Sequence, residues 1–211
     1  SRRQRQMCIR DSYTTAATTS TLTVNKATPT FSWSNVDATY NDADITIVSP
    51  AVATTAATGT WTYSSADTSV VAISGTKFDV GNAGSAVITA TFTPSNTTNY
   101  VSGETTTMTF TVGRANQATL SISSVTGTYG TALTLATSGG TTNGSITWGV
   151  SNGSASDCSV TGGQLTTTSI GTCTVTAVMA GSSNYFSVSN VGTTVTINEK
   201  PITVTATAKI K

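Results

Sequence analysis

The stretches GSAVITATF (residues 84–92) and GTCTVTAVM (residues 171–179) decide how this chain folds. In the first, Ala86, Ile88, Ala90 and Phe92 alternate with Val87, Thr89 and Thr91; in the second, Cys173, Val175, Ala177 and Met179 alternate with Thr174, Thr176 and Val178. A period of two belongs to a β-strand with one face in a core and the other in solvent. Each stretch opens on a glycine, Gly84 or Gly171, and is followed by the same dipeptide, Asn99-Tyr100 or Asn184-Tyr185. Further landmarks keep the same order: Tyr40 with Tyr129, Trp61 with Trp148, and Phe78 with Leu165. The chain therefore carries two copies of one unit at an offset of roughly 85 to 90 residues, too long for a solenoid repeat and the size of a small sandwich.

The alternation runs through both copies. In the first, the inward sets are Phe31/Trp33, Ile45/Ile47, Trp61/Tyr63, Val71/Ile73, Phe78/Val80, the Ala86 to Phe92 set and Met108/Phe110/Val112. In the second they are Leu120/Ile122, Leu133/Leu135, Ile146/Trp148/Val150, Cys158/Val160, Leu165, the Cys173 to Met179 set and Val195/Ile197. About seven short strands per copy, divided by turn residues such as Ser74-Gly75, Gly81-Asn82 and Gly162-Gly163, predict an all-β fold of two tandem immunoglobulin-like β-sandwiches. The predicted repeats span 27–113 and 114–199. Thr21-Leu22-Thr23-Val24-Asn25-Lys26 reads like Thr194-Val195-Thr196-Ile197-Asn198-Glu199-Lys200, so 13–26 is expected to be the last strand of a preceding repeat. By the same pattern, 200–211 is expected to be the first strand of a following one.

Composition fits this reading. Charged residues are only 9% of the chain, against about a quarter in ordinary globular domains. Threonine, close to a quarter of all residues, supplies the β-branched, half-wet surface that strands favour. Four of the five arginines lie in SRRQRQMCIRDS, residues 1–12; without that segment six basic residues face eight acidic ones, a net charge of −2. No clustered basic footprint is left for a nucleic-acid backbone, and no apolar run approaches a membrane span. Residues 1–12 lack the apolar core of a secretory signal. They resemble translated adapter sequence and are set aside as a non-native or disordered leader.

Gly84 to Phe92 followed by Asn99-Tyr100, and Gly171 to Ala177 followed by Asn184-Tyr185, resemble the signature of bacterial immunoglobulin-like tandem repeats, the modules of large surface and secreted proteins. The resemblance spans residues 27 to about 199 and rests on landmark order more than on any one string. It implies a non-catalytic spacer or stalk in a repetitive, adhesin-like protein at the bacterial cell surface or outside the cell. It also implies neighbouring repeats of the same chain as partners, with a surface glycan or protein as a further one. Two other readings stand beside it: a carbohydrate- or protein-binding immunoglobulin-like module, and a decoration domain on a phage particle.

Cys158 and Cys173 have Val71 and Ala86 as their counterparts in the first copy, both in inward sets. Two core positions changing together suggests that they touch, so a disulfide is the natural reading, closing a loop of about 15 residues and pointing to an oxidising compartment. A pair of reduced buried thiols is the alternative. Trp61 and Trp148, in phase with apolar neighbours, are read with Tyr100 and Tyr185 as core anchors. Trp33, in an early strand, and Asp42 and Asp44, in the acidic stretch with Asp37 and Asn41, are the candidates for contact with a sugar or a calcium ion. A solvated turn explains the acidic stretch better. With no histidine and no paired carboxylates, neither a nucleophilic triad nor an acid–base pair can be assembled, so no enzyme activity and no cofactor are expected.

Overall fold

The computed structural model describes residues 20–53 and 57–206. The leader 1–12 with Cys8, residues 13–19 of the predicted preceding strand, and residues 207–211 lie outside the described residues. In the first unit, β1 (Phe31–Ser32), β2 (Val36–Thr39), β3 (Ile45–Thr46), β4 (Ala51–Val52), β5 (Gly59–Ser65), β6 (Val71–Ser74), β7 (Lys77–Val80), β8 (Gly84–Pro94) and β9 (Glu104–Gly113) succeed one another. In the second, β10 (Leu120–Ile122), β11 (Thr126–Thr128), β12 (Leu133–Thr134), β13 (Thr137–Gly139), β14 (Ile146–Asn152), β15 (Ser159–Thr161), β16 (Gln164–Thr166), β17 (Gly171–Met179), β18 (Val188–Ser189) and β19 (Thr193–Asn198) follow.

The two units share one topology. One layer is β2-β9-β8-β5 in the first unit and β11-β19-β17-β14 in the second, with β18 beside β17. The opposite layer consists of β3-β7-β6 with the β1-β4 pair, matched by β12-β16-β15 with the β10-β13 pair. β3 and β4 are successive pieces of one strand path, the first bonded to β7 and the second to β1. Two layers of this kind form an immunoglobulin-like sandwich, and the fold is all-β, a tandem pair of such sandwiches.

β2 and β11 run parallel to the last strand of their unit, with Val36 opposite Phe110 and Thr126 opposite Thr196. The sequence reading passed over both. Each has four residues or fewer, and its partner is the last strand of the same unit, far along the chain, so no local pattern announces the pairing.

Inward faces agree with the alternation. Val71, Phe78, Ile88 and Phe110 are buried in the first core, and Leu165, Cys173, Val175, Ala177 and Val195 in the second. One landmark needs correction. Trp61 faces Phe92 across the β5–β8 ladder, whereas Trp148 faces Ala177 across β14–β17. Ala177 corresponds to Ala90, whose partner is Tyr63. Trp148 thus stands in the place of Tyr63, and Ile146 in that of Trp61. A slide of two residues leaves every side chain on its original face, so the hydrophobic pattern is blind to it.

The tryptophans are half-buried, not sunk in the cores. Trp61 packs on Phe31 and Phe92, with ring centroids at 4.8 and 4.9 Å, and Trp148 lies against the edge of the second core. The fully buried rings are Phe78, Phe92 and Phe110. Residues 20–26 and 201–206 form no strand, because strand pairing needs a partner and none of the described residues offers one. Their apolar members Leu22, Val24, Ile202 and Val204 stand 88, 84, 89 and 86% exposed.

Candidate functional site at the joint between the two units

The units meet end to end through a small polar and aromatic joint. On the side of the first unit, the chain leaving β2 turns sharply at Tyr40-Asn41. Asp42 donates its N–H to the Thr39 carbonyl (2.9 Å) and accepts the Thr39 N–H on its carboxylate (2.7 Å). Asn41 has φ of 73°, which asparagine tolerates at the third position of such a turn. Tyr40 is tied to the end of β9 by its N–H, which donates to the Gly113 carbonyl (2.9 Å). The second contribution of this end is Asn82-Ala83, the loop between β7 and β8.

On the side of the second unit, the corner Asn184-Tyr185 lies in the loop after β17. Its backbone clamps the incoming linker: Ala115 donates to the Asn184 carbonyl (2.9 Å), and Phe186 donates to the Ala115 carbonyl (3.0 Å). Gln117, the one buried polar side chain among the described residues, holds this loop cluster together. Its Nε2 donates to the Ala180 and Phe186 carbonyls (3.2 and 2.8 Å), and its Oε1 accepts from the Thr141 and Thr142 N–H groups (3.0 and 3.1 Å) and from the Thr142 hydroxyl. With the linker held, both corner side chains reach back across the joint. Asn184 accepts the Ala83 N–H on Oδ1 (2.9 Å) and donates from Nδ2 to Asn82 Oδ1 (2.9 Å). Tyr185 accepts from Asn41 Nδ2 on its hydroxyl (2.8 Å), and its ring stands edge-on to Tyr40, with centroids 5.3 Å apart at 80°.

These magnitudes indicate what the joint can do. Three hydrogen bonds at about 1 kcal/mol net each and one aromatic pair at about 1 kcal/mol add up to a contact that would be only millimolar, about 4 kcal/mol, between separate molecules. A linker of a few residues supplies an effective concentration of that order or higher. The joint therefore closes to a substantial extent between tethered units and is too weak to recruit a free partner. Tyr185, read from the sequence as a core anchor, is half-buried and contributes its polar end to this interface. The equivalent Tyr100 is also half-buried, with Ala27 clamped beside it just as Ala115 is beside Tyr185.

The remaining candidates are dispersed. Trp33 is half-buried, donates its indole N–H to the Val48 carbonyl (2.8 Å), and packs near Phe78 and Tyr63. It lines a groove of about 420 Å³ with Val36, Ile45, Val48 and several serines. Asp42 spends one carboxylate oxygen on the turn described above, and Asp44 is exposed. Among the described residues no group of three or more histidine, cysteine, aspartate or glutamate side chains is placed to hold a metal ion. Cys158 and Cys173 are joined by a disulfide, with Cα atoms 6.1 Å apart, linking the approach to β15 in one layer to β17 in the other. Asn82 and Gln117 went unnoticed in the sequence as functional residues, and Asn41, named only within the acidic stretch, serves the joint instead. The repeated Asn-Tyr dipeptide and the repeated tyrosine at 40 and 129 were the signals pointing to the joint.

No family model and no curated protein matches the chain. Among solved structures, a protocadherin gammaB7 fragment, EC3-6, described as a cis-dimer, matches with a TM-score of 0.40 and 14% identity, over 84% of this chain and 48% of that one. The ectodomain of human desmocollin-1 matches with a TM-score of 0.33 and 12% identity, over 82% of this chain and 41% of that one. The chain spans half or less of the length of the solved chains named here.

Proposed function

We propose that this chain is a non-catalytic spacer segment of a repetitive extracellular protein, an adhesin-like stalk at a bacterial surface, in which sandwiches stack end to end and hold a distal part of the molecule at a distance. The joint carries this reading. A chain evolved only to display loops has no need to lock consecutive units, whereas a stalk transmits reach only if its joints resist bending. Strands of six or seven residues at about 3.3 Å per residue, with loops, give roughly 35 to 40 Å of reach per unit. The disulfide supports an oxidising setting. The exposed apolar alternation at Leu22/Val24 and Ile202/Val204 supports further repeats on both sides, since such a stripe is ordinarily buried in a sheet.

Backbone nitrogen-15 relaxation tests the reading. Two locked units tumble as one elongated particle, so both report a single anisotropic diffusion tensor; separate, shorter correlation times for the two units would overturn it. The groove beside Trp33 favours a second reading, a glycan- or peptide-binding module. Chemical-shift changes confined to Trp33, Val48 and Ser49 on titration with a glycan panel would support it.

A further inference from the structure

The far end of the second unit repeats the receiving half of the joint. Tyr129 donates its N–H to the Asn198 carbonyl (2.8 Å), as Tyr40 does to Gly113. Thr131 donates its N–H to the Thr128 carbonyl (3.1 Å), closing the same turn as Asp42 and Thr39. Gly130 has φ of 75°, beside 73° for Asn41. The loop before β17 places Ser169-Ile170 where Asn82-Ala83 stand before β8. Within the first unit this surface is covered by the Asn184-Tyr185 corner. Here Tyr129 and Ile170 are 40 and 46% exposed, and no hydrogen bond forms to the Ile170 N–H among the described residues, whereas the corresponding Ala83 N–H is held by Asn184. The chain leaves β19 at Asn198, directly beside Tyr129, so whatever follows is delivered onto this surface.

We infer that Tyr129, Gly130 and Ile170 form a docking seat for the Asn-Tyr corner of a further unit of the same kind, following in the same chain. The inference rests on the spacer reading and deepens it. The occupant follows from the interface already present: the seat keeps the tyrosine ring for an edge-on partner, the left-handed turn that presents it, and the open N–H that an asparagine Oδ1 would accept. Two side-chain contacts are missing. Gly130 has no amide to offer the incoming tyrosine hydroxyl as Asn41 does, and Ser169 Oγ is already engaged by the Ser156 N–H (2.8 Å) where Asn82 would meet an asparagine. The second joint is therefore looser than the first. A cis partner is the committed occupant because so small a contact surface needs the effective concentration of a tether.

The test replaces residues 200–211 of the chain with a second copy of residues 115–200, so that a corner identical to Asn184-Tyr185 arrives on the seat, and follows amide hydrogen exchange residue by residue. The Ile170 amide is expected to exchange about tenfold more slowly in the extended chain than in the parent, the effect of one new hydrogen bond. Tyr129→Ala in the extended chain returns it to the parent rate, and Gly130→Asn, at a φ that suits asparagine and with open space around the glycine, slows it further. Ala83 is the internal control. An Ile170 rate unchanged by extension, with Ala83 protected and the core amides of the added unit protected, would overturn the seat and leave the spacer reading standing. An Ala83 amide as fast as an open one would remove the first joint itself, and the spacer reading with it.

Discussion

The two sandwiches share a frame and fill it differently. In the first, Phe78 and Phe110 meet edge to face in the middle of the core (centroids 5.2 Å apart), and Phe92 closes one end against Phe31 and Trp61. In the second, the same three places hold Leu165, Val195 and Met179, as the ladders locate them. The aromatic volume is gone, and the Val71 and Ala86 positions of the first unit have become the Cys158–Cys173 bridge. A ring pair contributes about 0.5 to 1.5 kcal/mol beyond its buried area, while a bridge closing a 15-residue loop contributes about 3 kcal/mol in the chain-entropy account. The comparison teaches that the strand frame does not dictate how its interior is stabilised: dispersion and apolar burial in one copy are exchanged for a covalent constraint in the other.

The largest expected effect in testing this contrast is that of Phe110→Ala, which should cost the first unit about 3 to 5 kcal/mol. Denaturant unfolding followed through Trp33 and Trp61 would show it. The transition reported by Trp148 should not move, since the buried residues fall into two separate clusters; a joint loss would mean that the two cores unfold as one. Next comes the double change Cys158→Val with Cys173→Ala, which gives the second unit the pair found in the first. It should lower the stability of the second unit by about 2 to 4 kcal/mol, and calorimetry showing an unchanged transition would break the idea that the bridge replaces the rings. Tyr185→Ala should leave both unfolding transitions within about 0.5 kcal/mol, as surface changes usually do, while removing the Tyr40 ring contact and the Asn41 hydrogen bond, about 2 kcal/mol of coupling between the units. Relaxation measurements would then report two independently tumbling bodies.

The smallest effect concerns Asp67. Its exposed carboxylate accepts the hydroxyl and the N–H of Ser69 (2.6 and 2.9 Å), and the hydroxyl bond first, then the backbone bond, hold its pKa below the usual aspartate value. A depressed folded pKa means that the stabilisation is present above the unfolded value and is lost as the pH falls through the folded one. Acid titration of the first unit should therefore show a slight extra loss below the ordinary carboxylate range, absent in Asp67→Asn. An identical acid limb in that variant would assign the loss elsewhere.

Different features were legible to different depths. Inward residues were readable because exposure alternates with the strand period, and the pairing of Cys158 with Cys173 was readable because the second copy could be compared with the first at positions 71 and 86. The joint was only half readable. Asn184-Tyr185 announced itself by recurring at Asn99-Tyr100, yet an aromatic residue in a sandwich sequence reads as core, and nothing local says that Tyr185 turns its hydroxyl toward Asn41, 144 residues away. Asn82 and Gln117 resembled the other amides of a chain rich in Asn, Ser and Thr, and only their partners set them apart.

By itself, the sequence determined the all-β class, the doubling of the unit and the face each strand residue takes, because a period of two and a repeated order of landmarks are properties of the chain alone. The tertiary structure decided what depends on distant backbone: the parallel seating of β2 and β11 against the last strands, the two-residue slide that puts Trp148 in the place of Tyr63, and the locking of one sandwich onto the next. Alternation is unchanged by a slide of two and silent about the identity of a partner, so only the ladders and contacts could choose among arrangements that the pattern leaves equivalent.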